Sequence, residues 1–260
     1  MKNLFVYLHP TKSFTSEVES LTKIQIDNSL TLGWKREDIL LVTNFDYEYN
    51  GVKAIVVDDK NFCEFRPTSS KINVILTFFE SGVIENDLYW FHDLDAFQLE
   101  EMIDPNLSSA DMGLTAFDER PMAPEYLGAH RWNGGVIFFK KEARDIFEQI
   151  KEQMYRRKVI DETALVRVEL KAKRGNSTFL DRIKILNVTY NFVVTPNLDL
   201  TYCYEVAEKP LKIIHFRPFD KRKLDGDIGN LDFCVRGQNK MGKVLLSENL
   251  INLFNKYGIK

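Results

Sequence analysis

The stretch Tyr89-Trp90-Phe91-His92-Asp93-Leu94-Asp95 decides how the chain is read: an apolar run that suits a buried strand stops at two aspartates one residue apart. On an extended backbone, positions i and i+2 face the same side, so Asp93 and Asp95 are expected to present both carboxylates to one point where the strand leaves its sheet. Oxygen donors of this kind suit hard divalent cations, which bind through one or two carboxylates and complete their shell with substrate phosphates and water. The plainer alternative is that the aspartates cap a turn or open a helix, as they do after many strands.

The segments on either side supply the context. Leu4-Phe5-Val6-Tyr7-Leu8, closed by His9-Pro10, reads as a buried first strand. Ser13 to Ser29 predicts a helix with Val18, Leu21 and Ile24 inward. Strands follow at Ile39 to Thr43 and Ala54 to Val57, separated by the polar-aromatic loop Asn44-Phe45-Asp46-Tyr47. Ser69 or Ser70 is placed to cap a helix through Ile72, Val74, Ile75, Leu76, Phe78 and Phe79 that stops near Gly82; it is apolar almost all round and therefore buried. Beyond Asp95, Met112 to Ala116 and Gly135 to Phe139 read as strands, and Lys141 to Met154 as an amphipathic helix.

This alternation through roughly the first 155 residues predicts an α/β fold, helices covering both faces of a mostly parallel sheet. In such sheets ligands bind outside the carboxyl ends of strands, where Asp93 and Asp95 fall. The remainder adds strands within Ile183 to Pro196 and Leu211 to Phe216, a Gly- and Asp-rich loop at Asp225 to Asn230, and a terminal helix over Leu246 to Tyr257. No linker divides the chain, so residues 1–260 are read as one domain.

Composition is that of an ordinary globular protein, 44% hydrophobic and 28% charged. The formal net charge is -3 and the basic residues are scattered, which argues against a nucleic-acid partner. The densest basic cluster, Arg156-Arg157-Lys158, follows a predicted helix end, where cations complement the helix dipole. Cys63, Cys203 and Cys234 are widely spaced and make neither a disulfide framework nor a zinc pattern, so a reducing, cytoplasmic compartment is expected. Met1 to Pro10 hold no long apolar core or cleavage site, and neither a signal peptide nor a transmembrane segment is expected.

Four local features accompany the aspartates. Trp132-Asn133-Gly134-Gly135 precedes a strand: the glycines allow close backbone approach to a ligand and Asn133 offers amide donors and an acceptor to hydroxyl groups, or the pair is simply a turn. Asp161-Glu162 opens a segment after a basic stretch; the acids either occupy a first helical turn or supply a general base. His215, ending the run Lys212-Ile213-Ile214, is a candidate third ligand for a cation held by two carboxylates, since neutral imidazole ligates metals readily. Lys71 either reaches a phosphate or is a solvated lysine.

In their order, Tyr89 to Asp95 with its Asp-x-Asp ending, Asn133-Gly134-Gly135-Val136-Ile137, Asp161-Glu162 and Ile214-His215-Phe216 resemble the landmarks of nucleotide-sugar glycosyltransferases of the GT-A fold, especially the group that includes glycogenin and bacterial lipopolysaccharide galactosyltransferases. The resemblance spans Leu4 to Phe216 and implies a GT-A-like, Rossmann-related sheet. Residues 1–155 would then form the half that binds the nucleotide sugar, and 156–260 the acceptor side. It implies Mn²⁺ or Mg²⁺ held by Asp93, Asp95 and His215 on the diphosphate of a donor, a UDP-sugar, with Leu94 between the ligands. Leu8, His9 and Pro10, with Asn44 and Asp46, would surround base and ribose. Asn133 and Gly134 would face the donor sugar, with Asp161 or Glu162 beside its anomeric carbon. The acceptor would be a hydroxyl of a glycan, lipid or protein, held by loops such as Arg120 to Arg131 and the region after Pro218.

The chain departs from that family in two places. Many members carry Asp-Gln-Asp where this chain has Asp161-Glu162-Thr163, and the Gly and Lys pattern expected after His215 is missing, leaving Gly226, Gly229, Gly237 and Lys240 as weak phosphate contacts. Two other functions compete: a non-catalytic carbohydrate-binding domain, and an Asp-x-Asp phosphohydrolase with a nucleophilic aspartate, disfavoured because Phe97 replaces the Thr or Val of that motif.

Overall fold

The computed structural model describes residues 1–101, 103–116, 132–175, 178–194, 200–216 and 246–258. The loop Asp225 to Asn230, Gly226, Gly229, Gly237, Lys240, Cys234 and the stretch Arg120 to Arg131 lie outside the described residues.

A seven-stranded sheet is built from β1 (Lys2–Tyr7), β2 (Ile39–Thr43), β5 (Ile55–Val56), β6 (Tyr89–His92), β8 (Met112–Ala116), β9 (Trp132–Phe139) and β10 (Ile183–Leu186). Its order is β10-β8-β9-β6-β1-β2-β5, and neighbours run parallel except at β9, which is antiparallel to both β6 and β8. A hairpin of β3 (Glu48–Tyr49) and β4 (Val52–Lys53) stands beside it. The predicted α/β, mostly parallel architecture is therefore present, with β10 from the later part of the chain completing the sheet.

Both faces are covered, which is why the strands read as near-continuous apolar runs. Tyr89, Phe91, Leu4, Ile137 and Phe139 point into one core, closed by α2 (Ser70–Glu80), α3 (Arg144–Arg157) and α4 (Asp161–Arg174). Their alternates Trp90, Phe5, Val136 and Phe138 point into the other. That second face lies toward α1 (Ser16–Thr31) and a small sheet of β7 (Ala96–Gln98), β11 (Phe192–Val194) and β12 (Ile213–Phe216), packed with the terminal helix α6 (Glu248–Lys256). A short helix, α5 (Leu200–Val206), precedes β12.

Three local expectations are corrected. Ser69 stands at the N-cap of α2, but neither serine side chain caps it: the Ser69 hydroxyl donates to Asp161 Oδ1 at 2.7 Å, and Ser70 Oγ accepts the Cys63 amide at 2.9 Å, because tertiary partners outcompete the helix end. Asn133 and Gly134 do not form a turn before a strand; they lie within β9, at the irregularity in its ladder with β8 between the pairs Leu114–Ile137 and Ala116–Trp132. Asp93 and Asp95 are not on an extended strand: β6 ends at His92, and a turn closed by Ala96 N–H donating to Asp93 O at 3.0 Å carries them.

Candidate active site

Parallel strands place their carboxyl ends on one edge, so the chain leaves β1 at Leu8, β2 at Asn44 and β6 at Asp93 on the same side of the sheet. At that edge the turn after β6 has three anchors. Asp93 N–H donates to Gly135 O at 2.8 Å. Gln25, on the buried side of α1, donates both amide hydrogens of Nε2, to Leu94 O at 2.8 Å and to Ala96 O at 2.9 Å. Phe216 N–H donates to Asp95 O at 2.9 Å.

The last anchor brings in a residue 121 positions later. β12 runs antiparallel to β7 with His215 opposite Ala96, and β11 runs parallel to β12 with Val193 opposite His215. The register sets the imidazole against the aspartate turn: His215 Nε2 lies 3.2 Å from Asp95 Oδ1. One ligating atom from each of Asp93, Asp95 and His215 falls within 4.8 Å of the others, with the carboxylates half-buried and the imidazole buried. Two hard oxygen donors and one borderline nitrogen are a donor set that manganese or magnesium accepts. A carboxylate and an imidazole nitrogen facing each other across a cleft have the chemistry to share a cation, so the residues fit the metal that the resemblance implies.

Beside the triad lies a buried cation. Lys71 is not solvated: its ammonium donates to Gly134 O at 2.8 Å and lies 3.3 Å from Asp93 Oδ1, 3.4 Å from Asp161 Oδ2 and 5.0 Å from the centre of the Phe91 ring. Burial by itself disfavours the charged form, but Asp161, Asp93 and Glu162 outweigh it, and the Lys71 pKa is raised above its ordinary value. Both acids of the first turn of α4 are engaged here. Asp161 accepts the Ser69 hydroxyl as well as facing Lys71, and Glu162 Oε1 accepts the Gly134 amide at 2.9 Å.

The two glycines are required by close approach. A Cβ on Gly134 would meet Asp161 Oδ2 at 2.6 Å, and one on Gly135 would meet His215 Cε1 at 2.2 Å. Asn133 Oδ1 accepts the Gly135 amide at 2.9 Å, while its buried Nδ2 has no hydrogen-bond partner among the described residues, an amide still able to donate to a ligand hydroxyl.

Behind the turn, His92 is fully buried, its ring nitrogens 2.9 Å from Asp93 O and 2.8 Å from Asn3 Oδ1. Burial pushes its pKa down to about 4, so the ring is neutral near pH 7.

A second cluster occupies the ends of β1 and β2. His9 N–H donates to Asn44 Oδ1 at 3.0 Å, and Asn44 Nδ2 returns bonds to His9 O and Asp59 Oδ1, both at 2.9 Å. Leu8 is buried in the core, Pro10 and Asp46 are exposed, and Leu94 is partly buried. Tyr7 stacks against His9 and Phe14, with Phe45 and Tyr47 edge-on to Phe14. The structure thus joins Asp93, Asp95, His215, Lys71, Gly134, Asp161 and Glu162 through direct contacts, and ties His9 to Asn44 separately. Sequence reasoning missed Gln25, Ser69, Gly135 as a contact position, and Asn191, whose Oδ1 lies 3.0 Å from His215 Nδ1.

Among solved structures this fold is similar to the galactosyltransferase LgtC in complex with donor and acceptor sugar analogues, at TM-score 0.55 and 12% identity over 97% of this chain and 100% of that one. It is similar to the glycosyltransferase GlyE of Streptococcus pneumoniae TIGR4, at TM-score 0.53 and 14% identity over 100% of this chain and 65% of that one. The bifunctional glycosyltransferase WbbM matches at TM-score 0.51 and 13% identity over 98% of this chain and 51% of that one. No protein-family model matches the sequence, and no curated protein matches it. The chain has the GT-A glycosyltransferase fold. No helix among the described residues is long and apolar enough to cross a membrane.

Proposed function

We propose that this protein is a metal-dependent glycosyltransferase that moves a sugar from a UDP-sugar to a hydroxyl of a glycan, lipid or protein acceptor, and that residues 1–260 form one catalytic domain. The observation that carries this reading is the convergence of Asp93, Asp95 and His215 at the carboxyl edge of a GT-A sheet. Those three residues would hold Mn²⁺ or Mg²⁺. A divalent cation there supplies neutralisation of the donor diphosphate and stabilises the charge it takes on as a leaving group.

The chain's own residues prepare the rest. Lys71 adds a positive charge beside Asp93, and its burial strengthens its field. Asn133 and Gly134 line the donor sugar side, where the orphaned Asn133 amide is ready to donate to a hydroxyl. Asp161 is committed to Lys71 and Ser69, so it positions the ammonium. Glu162, more open to solvent, is the acid at the reacting face. The cluster of His9 and Asn44, with Leu8, Pro10 and Asp46 around it, receives base and ribose.

A screen of UDP-sugars tests this reading through Mn²⁺-dependent hydrolysis and through thermal stabilisation by UDP with and without Mn²⁺. Release of UDP that EDTA abolishes and added Mn²⁺ restores is expected. A carbohydrate-binding domain would ignore the nucleotide, and stabilisation by sugars but not by UDP with Mn²⁺ would overturn the proposal.

A further inference from the structure

His215 is buried and its two ring nitrogens have different partners. Nε2 faces Asp95 Oδ1 at 3.2 Å, and Nδ1 lies 3.0 Å from Asn191 Oδ1. Asn191 is itself 1% exposed, and its Nδ2 finds no partner among the described residues. A buried amide with half of its capacity unused costs stability that an apolar residue of similar size would not, so packing does not explain an asparagine here. Its backbone is held in place: Asn191 N–H donates to Val188 O at 3.0 Å, Thr189 O accepts the Lys212 amide at 3.0 Å, and β11 begins at the next residue, parallel to the strand that bears His215.

We propose that Asn191 is a positioning residue that sets the tautomer and orientation of His215 for cation binding; this rests on the metal-dependent reading of the site. A carbonyl oxygen can only accept, so with Asn191 Oδ1 against the ring the imidazole proton sits on Nδ1 and the Nε2 lone pair points at the aspartates. Metal-ligating histidines are oriented by this kind of bond from the opposite ring nitrogen. With the amide turned over, Nδ2 donates to Nδ1 and the proton moves to Nε2, where it bonds Asp95 Oδ1. An asparagine supports both arrangements, the first with a cation and the second without. An aspartate supports only the first, and a leucine neither.

The full-length protein and its Asn191→Leu, Asn191→Ala and Asn191→Asp variants would be titrated with Mn²⁺ in the presence of UDP, reading bound metal by electron paramagnetic resonance. Nitrogen-15 NMR of the histidine rings would report the tautomer with Mg²⁺ and UDP. The expected result is affinity for Mn²⁺ lower by about tenfold to a hundredfold in Asn191→Leu and Asn191→Ala. Asn191→Asp retains binding with the proton on Nδ1, and the metal-free melting temperature of Asn191→Leu is no lower than that of the unaltered protein. If the Leu and Ala variants bind Mn²⁺ as tightly as the unaltered protein, or if the Asp variant loses it equally, the positioning role is wrong while the enzyme reading stands. If the unaltered protein with UDP binds no Mn²⁺ at all, both fall.

Discussion

Gly135 is where the site tolerates least change. An added Cβ would lie 2.2 Å from His215 Cε1 and 3.0 Å from Asp93 Oδ2, so Gly135→Ala must push the imidazole away from the aspartates or bend β9. Overpacking of this kind costs about 1–3 kcal/mol, and the expected outcome is a folded protein with a lowered melting point and little Mn²⁺ response. Asp93→Asn and Asp95→Ala remove charge from a half-buried cleft and leave the core intact. With several kcal/mol of leaving-group stabilisation at stake, each should lower transfer by at least roughly a hundredfold while circular dichroism stays unchanged. Retained activity in both variants would exclude the proposed ligands. His215→Ala should cost at least about tenfold in rate and shift the Mn²⁺ titration to higher concentration.

Helix α1 shows how a separate element holds the aspartate turn in place. Its sequence promised an apolar inner stripe, but Thr22, Gln25, Asn28 and Ser29 are all buried on it. Gln25 braces Leu94 and Ala96, Asn28 donates to Gln98 O at 2.9 Å, and Ser29 Oγ accepts from Asn3 Nδ2 at 2.9 Å. Gln25 and Asn28 face inward because the aspartate turn and the edge of β7 leave the carbonyls of Leu94, Ala96 and Gln98 to be satisfied from that side. Gln25→Ala removes the donor from two of them and should cost about 1–3 kcal/mol by urea unfolding. Turnover should fall further than stability alone accounts for. Ile26→Val in the same helix, at about 0.5–1.5 kcal/mol, should leave turnover intact. Equal turnover in the two variants would refute a bracing role. No periodicity distinguishes such amides from misplaced surface residues, since their partners lie about 70 positions away.

Long-range closure of the molecule runs through Asp27. Its carboxylate accepts from Tyr257 Oη at 2.6 Å and Lys256 Nζ at 3.0 Å at the end of α6, and from Asn50 Nδ2 at 3.1 Å in the β3–β4 hairpin. Burial pushes its pKa up, but the hydrogen bonds from Tyr257, Lys256 and Asn50 together with the Lys256 charge prevail, and the folded pKa is lowered. The unfolded chain therefore binds this proton more readily than the folded one. The stabilisation is complete above the unfolded value of about 3.9 and is lost as pH falls through the lower folded value. Asp27→Asn should lower the melting temperature at pH 7 and flatten its decline in the acid range; an unaltered acid limb would show that the tether contributes nothing.

The mostly parallel α/β arrangement was legible in the chain alone, because two-sided burial writes continuous apolar runs, and Asp93, Asp95 and His215 stood out as candidates because they follow or end such runs. Local pattern also placed Asp161 and Glu162 in a first helical turn. Which partners they take was not legible. The burial of Lys71 between Asp93 and Asp161, the turn that replaced an extended Asp-Leu-Asp segment, and the roles of Gln25 and Asn191 depend on contacts between residues tens to more than a hundred positions apart. Backbone preference and side-chain period act over one or two turns of chain, whereas the register of β12 on β7 is set by the packing of the completed core, and that register brings the imidazole to the carboxylates.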